Sequence, residues 1–280
     1  MGLRLVAAAA VAAVVAGATA ASSGPLSAAT TFLVGSQRAD GGFGESAGVE
    51  DASLTAWASL ALVAGRAPAD ARGLALAYLR SHEDDVQQVT DVALVSLARS
   101  ALGDRPDALL ARLHAVAPGG AVNAEIWTIL ALRAAGEVPP APLVRDVLAA
   151  QASAGGWSWT RGVQPDSNDT AAALEALRAA GISGKPISRG LAALRRFRNA
   201  DGGYGLTPGR PSDAQSTAWA IQALFASGAK PARSTWRFLA RLRRPDGSYR
   251  YSVRYATTPV WVTAQVAPAL AGQPFPLSAG

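Results

Sequence analysis

Two kinds of apolar segment alternate along the chain. The first kind has apolar residues at helical spacing with arginine or polar residues between them, as in residues 189–198 and 235–243. Such segments predict helices with one solvent-facing side. The second kind, clearest in residues 51–65 and 213–228, has no charge after its opening aspartate. Because a helix that is apolar nearly all round is buried on both sides, the pattern predicts an outer layer of helices around a buried inner layer.

The chain repeats one plan. In residues 37–65 and 198–228 a helix ends, the chain turns on Gly-Gly, an aromatic residue follows, and a second helix begins at Asp-x-x-x-Thr-Ala-Trp-Ala. Fixed internal repetition is the signature of a repeat architecture. Aligned on the threonine, six units are anchored 35 to 47 residues apart, at Thr55, Thr90, Glu125 in place of threonine, Thr170, Thr217 and Thr263. The six first helices are expected near residues 31–37, 74–82, 109–116, 143–151, 189–198 and 235–243.

The ends of the repeat array indicate closure. An open stack of six hairpins would expose its apolar inner layer at both ends and would need polar terminal repeats. The last inner segment, residues 258–272, is as apolar as the first, residues 51–65, so neither resembles a cap. We therefore predict an all-α (α/α)6 toroid, one domain over residues 21–280 with a short C-terminal tail. All inner helices then begin at one end of the ring, which we call the mouth.

Helix caps support this division. Asp51, Asp166 and Asp213 each stand four residues before an anchor threonine, where a carboxylate can accept the free amide groups of a helix start. The second helices end at glycine, which a left-handed C-cap favours; these glycines are Gly65, Gly136, Gly181, Gly228 and Gly272.

The first residues carry a targeting signal. A short basic start, an apolar run over residues 5–17 and small residues at 18–20 predict a secretory signal peptide at residues 1–20. An uncleaved N-terminal anchor is the alternative. No second apolar stretch of spanning length follows, so we expect no transmembrane span in the mature chain. The expected location is extracellular or at the surface of the cell envelope.

Composition excludes several kinds of site. The chain has no cysteine, which removes disulfides, thiolate chemistry and cysteine-based zinc sites. The net charge of +6 comes almost entirely from arginine, much of it on predicted outer helices. These arginines form either a solvated face or a surface that attracts an anionic cell envelope. We expect no nucleic-acid partner, because the chain lacks a basic–aromatic binding motif.

The Gly-Gly turns resemble a known motif. An aliphatic residue, a glutamine four residues later, and then Gly-Gly and an aromatic occur in residues 33–43 (LVGSQRADGGF) and 147–157 (VLAAQASAGGW). Degenerate copies occur in residues 194–204 and 239–249. This pattern resembles the Gln-Trp-type repeat of the terpenoid cyclase and protein prenyltransferase toroid superfamily. The resemblance implies the toroid but no particular activity.

Residues 166–171, DSNDTA, resemble the Asp-x-Asp-Asp-Thr-Ala motif of squalene-cyclase-like enzymes. In that family the middle aspartate protonates an olefin, which needs an unusually strong acid. Here the middle residue is Asn168, whose amide has no comparable proton to give. The resemblance leaves Asp166 and Asp169 as candidate catalytic acids. The alternative interpretation is that Asp166, Asn168 and Asp169 all bind the free amides of the helix start.

Other members of the superfamily bind zinc, and this chain lacks the residues for that. The zinc site of protein prenyltransferase β subunits uses Asp, Cys and His. The chain has no cysteine, and His82 and His114 fall at the ends of predicted outer helices. We therefore expect no metal and no cofactor.

The mouth collects the residues from which a binding site could be built. Trp159, in a long loop beside Asp166 and without a counterpart in the other repeats, is the first candidate for ligand contact. Glu125 is a candidate because a buried carboxylate is costly without a partner. Trp57 and Trp219 share one repeat position and are expected in the core. The candidate ligand-binding residues are Trp159, Asp166, Asn168, Asp169, Glu125, Trp127, Asp213, Asp51 and Tyr204.

Three functions remain open. The first is a secreted toroid without enzyme activity that binds a small-molecule or polymer ligand, or a partner, at its mouth. The second is a terpene cyclase-like enzyme that uses Asp166 or Asp169 as its acid. The third is a structural domain that associates with the anionic cell envelope through its basic outer face.

Overall fold

A computed structural model describes residues 24–277, and this part of the chain contains twelve α-helices and one short 3-10 helix at Glu83–Asp85. The residues proposed as a signal peptide lie outside the described part. No helix within residues 24–277 is long and apolar enough to cross a membrane. The helices are α1 (Pro25–Ser36), α2 (Ala52–Ala64), α3 (Ala69–Ser81), α4 (Val89–Ala101), α5 (Asp107–His114), α6 (Val122–Ala134), α7 (Ala141–Ala149), α8 (Ser167–Ala179), α9 (Lys185–Arg195), α10 (Ala214–Ala226), α11 (Arg233–Leu242) and α12 (Pro259–Ala271).

The helices form six hairpins in two concentric layers. Each even-numbered helix packs against the next even-numbered helix, and α12 returns to pack against α2, which closes the ring. The even-numbered helices are the inner layer: eleven of the thirteen residues of α2 are buried, compared with four of the ten residues of α11 in the outer layer. The predicted (α/α)6 toroid is confirmed. Hairpin 1 is α1–α2, and the others follow in order to hairpin 6, α11–α12.

The plan shared by the hairpins has a hydrogen-bonding basis. In four hairpins the anchor threonine, buried in the inner helix, accepts the backbone N–H of the aromatic residue that follows the Gly-Gly turn, which is Gly-Ser in hairpin 6. This bond fixes the loop onto its own helix and satisfies a buried amide group. The pairs and their N···O distances are Phe43 and Thr55 (2.9 Å), Trp157 and Thr170 (3.0 Å), Tyr204 and Thr217 (3.0 Å), and Tyr249 and Thr263 (2.8 Å).

The Gly-Gly turn of one hairpin lies against the outer helix of the next. Gly41 has φ 92°, and a Cβ there would lie 2.2 Å from the carbonyl oxygen of Leu74 in α3. At the seam between hairpins 6 and 1 the contact recurs, because a Cβ on Gly247 would lie 2.3 Å from the carbonyl oxygen of Ala28 in α1. The ring therefore closes with the same contact that joins its other hairpins.

A second contact across the seam comes from Glu45, in the loop before α2. Its carboxylate accepts the backbone N–H groups of Val260 (3.1 Å) and Trp261 (2.8 Å), the free amides at the start of α12. In three other hairpins, a backbone carbonyl in the mouth loop of the next hairpin accepts a free amide at the start of the inner helix. Three such bonds run from Asn123 to Trp159 (3.1 Å), from Ser167 to Leu206 (2.9 Å) and from Ala214 to Tyr251 (2.7 Å).

The outer helices begin earlier than the apolar pattern predicted. α1 begins at Pro25 rather than near residue 31, and α9 begins at Lys185 rather than near residue 189. Both helices have proline in their first two positions. Proline suits the first turn because its fixed φ matches a helix and its missing N–H is not needed there. The apolar periodicity starts about one turn later, so it misplaced the helix starts.

Gly65 ends α2 for a reason different from the predicted left-handed cap. Its φ is −82°, and Arg66 takes the left-handed conformation instead, with φ 52°. A Cβ on Gly65 would lie 2.0 Å from Oγ1 of Thr30 in α1. Glycine is therefore needed here for the close approach of two helices. The other four predicted cap glycines do have positive φ: Gly136, Gly181, Gly228 and Gly272.

Candidate functional site

Three tryptophans meet at the centre of the ring. Trp57, Trp127 and Trp219 come from α2, α6 and α10, and their ring centroids are 5.5 to 5.9 Å apart. Each pair is near-perpendicular, with interplanar angles of 84° to 87°. Since these three helices alternate around the ring and are not neighbours, their side chains can touch only at its axis. We call these residues the tryptophan cluster.

The C-terminal tail fills the centre from the opposite end. Phe275 packs against Trp57 and Trp219, with centroid distances of 6.2 and 5.8 Å, and is buried together with Leu277. The backbone N–H of Phe275 donates to Oε2 of Glu175 in α8, at 2.6 Å. Burial raises the pKa of the Glu175 carboxyl well above its ordinary value. The tail is thus held by both apolar contact and a buried hydrogen bond.

On the mouth side of the cluster, polar side chains link neighbouring inner helices. Ser53 in α2 donates to Asp91 in α4, at 3.0 Å. The side-chain amide of Asn123 in α6 donates to Asp169 in α8. The mouth is therefore lined by hydrogen-bonding groups above an aromatic floor.

A cleft of about 440 Å³ opens at the mouth between hairpins 1 and 6. We call it the seam cleft. Its lining includes Thr258, which has φ 48°, an outlier for a β-branched residue. The lining residues are Glu45, Asp51, Ser53, Leu54, Trp57, Thr258 and Trp261. The cleft combines two indoles, two carboxylates and two hydroxyls next to the axis of the ring.

Asp166 and Asp169 form a carboxyl pair at the start of α8. Oδ1 of Asp166 accepts the backbone N–H groups of Asn168 (2.9 Å) and Asp169 (2.8 Å), so Asp166 caps the helix. Burial, followed by the charge and hydrogen bond of Asp169, raises the pKa of Asp166 above its ordinary value. Asn168 and Asp169 do not cap the helix with their side chains: Asn168 accepts from the Ser167 hydroxyl, and Asp169 bonds Asn123. The shared capping role expected for all three therefore holds only for Asp166.

Glu125 replaces the anchor threonine and takes over its bond to the loop. It is fully buried, accepts the backbone N–H of Gly119 at 2.9 Å, and lies 3.1 Å from the guanidinium of Arg161. Arg161 also pairs with Asp146 of α7. Burial and a hydrogen bond with Asp146 raise the pKa of Glu125 to about 7, although Arg161 opposes the shift. The partners that a buried carboxylate needs are present.

Comparison with known proteins identifies the family. The profile of the prenyltransferase alpha-alpha toroid domain matches residues 2–92 and 169–259. The chain belongs to this family. No curated protein sequence matches the toroid chain.

Solved structures share the toroid fold at low identity. The chain is similar to a protein from Actinoplanes, with 19% identity, a TM-score of 0.61, and coverage of 89% of this chain and 98% of that one. It is similar to the type II terpene cyclase MstE from Scytonema, with 17% identity, a TM-score of 0.63, and coverage of 88% and 96%. It is also similar to an ent-copalyl diphosphate synthase from Streptomyces platensis, with 18% identity, a TM-score of 0.57, and coverage of 79% and 50%. At these identities the similarity establishes the fold alone.

The candidate ligand-binding residues predicted from the sequence lie in several separate parts of the toroid. Asp51 lies in the seam cleft, whereas Trp127 is in the tryptophan cluster. Tyr204 is buried against Thr217, and Asp213 is a buried cap of α10 whose pKa burial raises to about 6. The structure therefore does not bring these candidates together in one cavity.

Trp159 does have repeat counterparts, contrary to the expectation from the sequence. It stands two residues after the aromatic of its hairpin, as do Glu45, Leu206 and Tyr251. Its carbonyl oxygen caps the start of α6, and its side chain is 58% exposed. The same position in hairpin 1 holds Glu45, which the sequence analysis missed. Counting from each aromatic rather than from each threonine would have found it.

Proposed function

We propose that this chain is a secreted toroid without cyclase activity that binds a ligand at its mouth. The observation that carries the proposal is the filled centre of the ring. The tryptophan cluster occupies the axis, and Phe275 and Leu277 pack beneath it. Ligand pockets are concave, mostly apolar and equipped with a few polar groups, and the seam cleft has these properties at the mouth.

The exposed mouth loops favour the same end of the ring. Large apolar side chains that are exposed occur on the loops of hairpins 1, 4, 5 and 6, and Trp159 is the largest of them. Exposed apolar side chains that gather on one surface mark binding regions. Three such residues that accompany Trp159 are Val163, Leu206 and Val253.

A thermal-shift screen of the purified protein tests the proposal. Isoprenoid, corrinoid, glycan and peptide libraries are the probes, and a ligand should raise the melting temperature because it binds only the folded state. Trp159→Ser should leave folding intact and weaken the binding of a ligand that extends from the seam cleft over the exposed loop of hairpin 4. Val138→Ser is the matched control, since Val138 is 82% exposed and follows α6 at the opposite end of the ring. If no library shifts the melting temperature, the proposed function is wrong.

A cyclase-like enzyme is the second candidate, and the Asp166–Asp169 pair favours it. Burial and the neighbouring Asp169 raise the pKa of Asp166, which favours the protonated carboxyl that a general acid requires. Against it, Oδ1 of Asp166 is engaged by two backbone amides, and Asn168 occupies the position of the family's acid. Turnover of polyprenyl substrates that Asp169→Asn abolishes would establish this candidate. Absence of turnover across chain lengths would eliminate it.

A further inference from the structure

The seam cleft presents aromatic surface to solvent. Trp57 of α2 and Trp261 of α12 both line it, and both are partly exposed although they belong to inner helices. Trp57 is held in place by its near-perpendicular contacts with Trp127 and Trp219. The indole surface in the cleft is therefore preorganised, and a ligand would not have to order it.

The charged side chains among the lining residues are both acidic, Glu45 and Asp51. Asp91 accepts a hydrogen bond from the hydroxyl of Ser53 and adds a third carboxylate next to the cleft. Within residues 24–277 none of these three carboxylates forms an ion pair with lysine or arginine. Helix starts partly neutralise two of them, because Asp51 accepts the N–H of Leu54 and Glu45 caps α12. The N-terminus of each helix carries only about half a positive charge, so the net charge of the cleft remains negative.

The mouth loop of hairpin 1 extends this negative region. Residues 37–51 contain four acidic side chains and one arginine, Arg38, which pairs with Glu50. The loop of hairpin 6 is basic, but its Arg254 lines a different groove, between hairpins 5 and 6. A negative region of this kind on a chain of net charge +6 raises the local concentration of cations.

We propose that the seam cleft binds the ammonium group of an organic cation of about the size of choline. The substituents of the ammonium group lie against Trp57 and Trp261, and Asp51 and Glu45 supply the countercharge. Aromatic faces attract such cations through the ring quadrupole, and the attraction favours poorly hydrated ammonium groups that carry apolar substituents. This inference rests on the proposed mouth function and names the ligand chemistry of its cleft.

Choline and its uncharged isostere, in which carbon replaces the ammonium nitrogen, test the charge requirement. Titrations are followed by calorimetry and by tryptophan fluorescence. Choline should bind about tenfold more tightly than the isostere, within the range that a cation–aromatic contact provides. Equal binding of the two compounds would overturn the cation assignment while leaving a ligand-binding mouth. If neither binds but the library screen yields a ligand, this inference alone is wrong, and if the screen also fails, both are wrong.

Two variants locate the binding site. Asp51→Asn removes the charge but keeps an oxygen that can cap α2, so folding should be retained while choline binding weakens about threefold to tenfold. Asp201→Asn makes the same change in the Gly-Gly turn of hairpin 5 and should leave binding unchanged. Trp261→Leu should weaken binding about tenfold. Trp236→Leu, at a partly buried indole on outer helix α11, is its control and should not.

A further experiment distinguishes a soluble amine from a lipid headgroup as the source of the ammonium group. Free choline is compared with phosphatidylcholine vesicles in a co-sedimentation assay. Sedimentation that free choline inhibits and Trp261→Leu abolishes identifies a lipid headgroup as a ligand. Binding of free choline without sedimentation identifies a soluble amine. If Asp51→Asn and Trp261→Leu bind choline as well as the unmodified protein does, the cleft is not the site and the inference is overturned.

Discussion

Replacement of Thr217 by valine tests the hydrogen bond on which the repeat is built. The hydroxyl of Thr217 accepts the N–H of Tyr204 at 3.0 Å and donates to the carbonyl of Asp213 at 2.6 Å. Both Thr217 and Tyr204 are buried. Valine has nearly the same shape but no acceptor, so the amide of Tyr204 would be left unpaired away from water. A buried donor without its partner costs about 1–3 kcal/mol.

The assay is thermal unfolding followed by far-UV circular dichroism. For a domain of this size, each kcal/mol shifts the melting temperature by about 2–4 °C, so Thr217→Val should lower it by about 2–12 °C. Thr128→Val is the matched control, because Thr128 is equally buried in inner helix α6 but donates only to the Ala124 carbonyl of its own helix. That carbonyl retains its helical bond, so this variant should shift the melting temperature by less than about 2 °C. Equal shifts for the two variants would refute the role given to the anchor threonine.

Three further predictions follow from the seam, the buried carboxyl and the tail. Glu45→Ala leaves two amides of α12 unpaired and should lower the free energy of unfolding by about 1–3 kcal/mol. Its control, Glu50→Ala, breaks a surface ion pair and should lower the free energy of unfolding by less than about 1 kcal/mol. Equal losses for the two variants in denaturant unfolding would contradict the seam contact. Burial raises the pKa of Glu125 to about 7, so the stability that its protonated form contributes is complete below the ordinary pKa of 4.5 and is lost as pH rises through 7. Glu125→Gln should flatten the fall in melting temperature over this range, and an unchanged slope would show that another group causes it. Phe275→Ala should cost about 3–5 kcal/mol and shift tryptophan emission to the red, while Leu206→Ala, at an exposed side chain, should do neither.

The sequence was sufficient to predict the architecture because the repeat encodes it locally. The anchor threonine, the Gly-Gly turn and the capping aspartate all act within one hairpin. The nearly uncharged inner helices then indicate which layer is buried. Closure also followed from composition, since residues 258–272 are as apolar as residues 51–65 and neither could face solvent at a free end.

The features that the sequence did not reveal depend on contacts between distant residues. Glu45 and α12 are more than two hundred positions apart, and no local pattern joins them. Gly65 was assigned to the wrong constraint because the nearby Thr30 belongs to another helix. The tryptophan cluster combines one repeat position in three alternate hairpins, so the repeat pattern predicted that Trp57 and Trp219 are in the core but not that they meet Trp127 at the axis.

The tryptophan cluster provides a spectroscopic signal that reports whether the ring is closed. Indoles this close and this nearly perpendicular couple their electronic transitions, and coupled chromophores produce paired bands of opposite sign in circular dichroism. Because hairpins 1, 3 and 5 each contribute one indole, separation of any one of them from the axis would erase part of that signal. The near-ultraviolet circular dichroism spectrum should therefore distinguish a closed toroid from one that has opened, even if the helices remain folded.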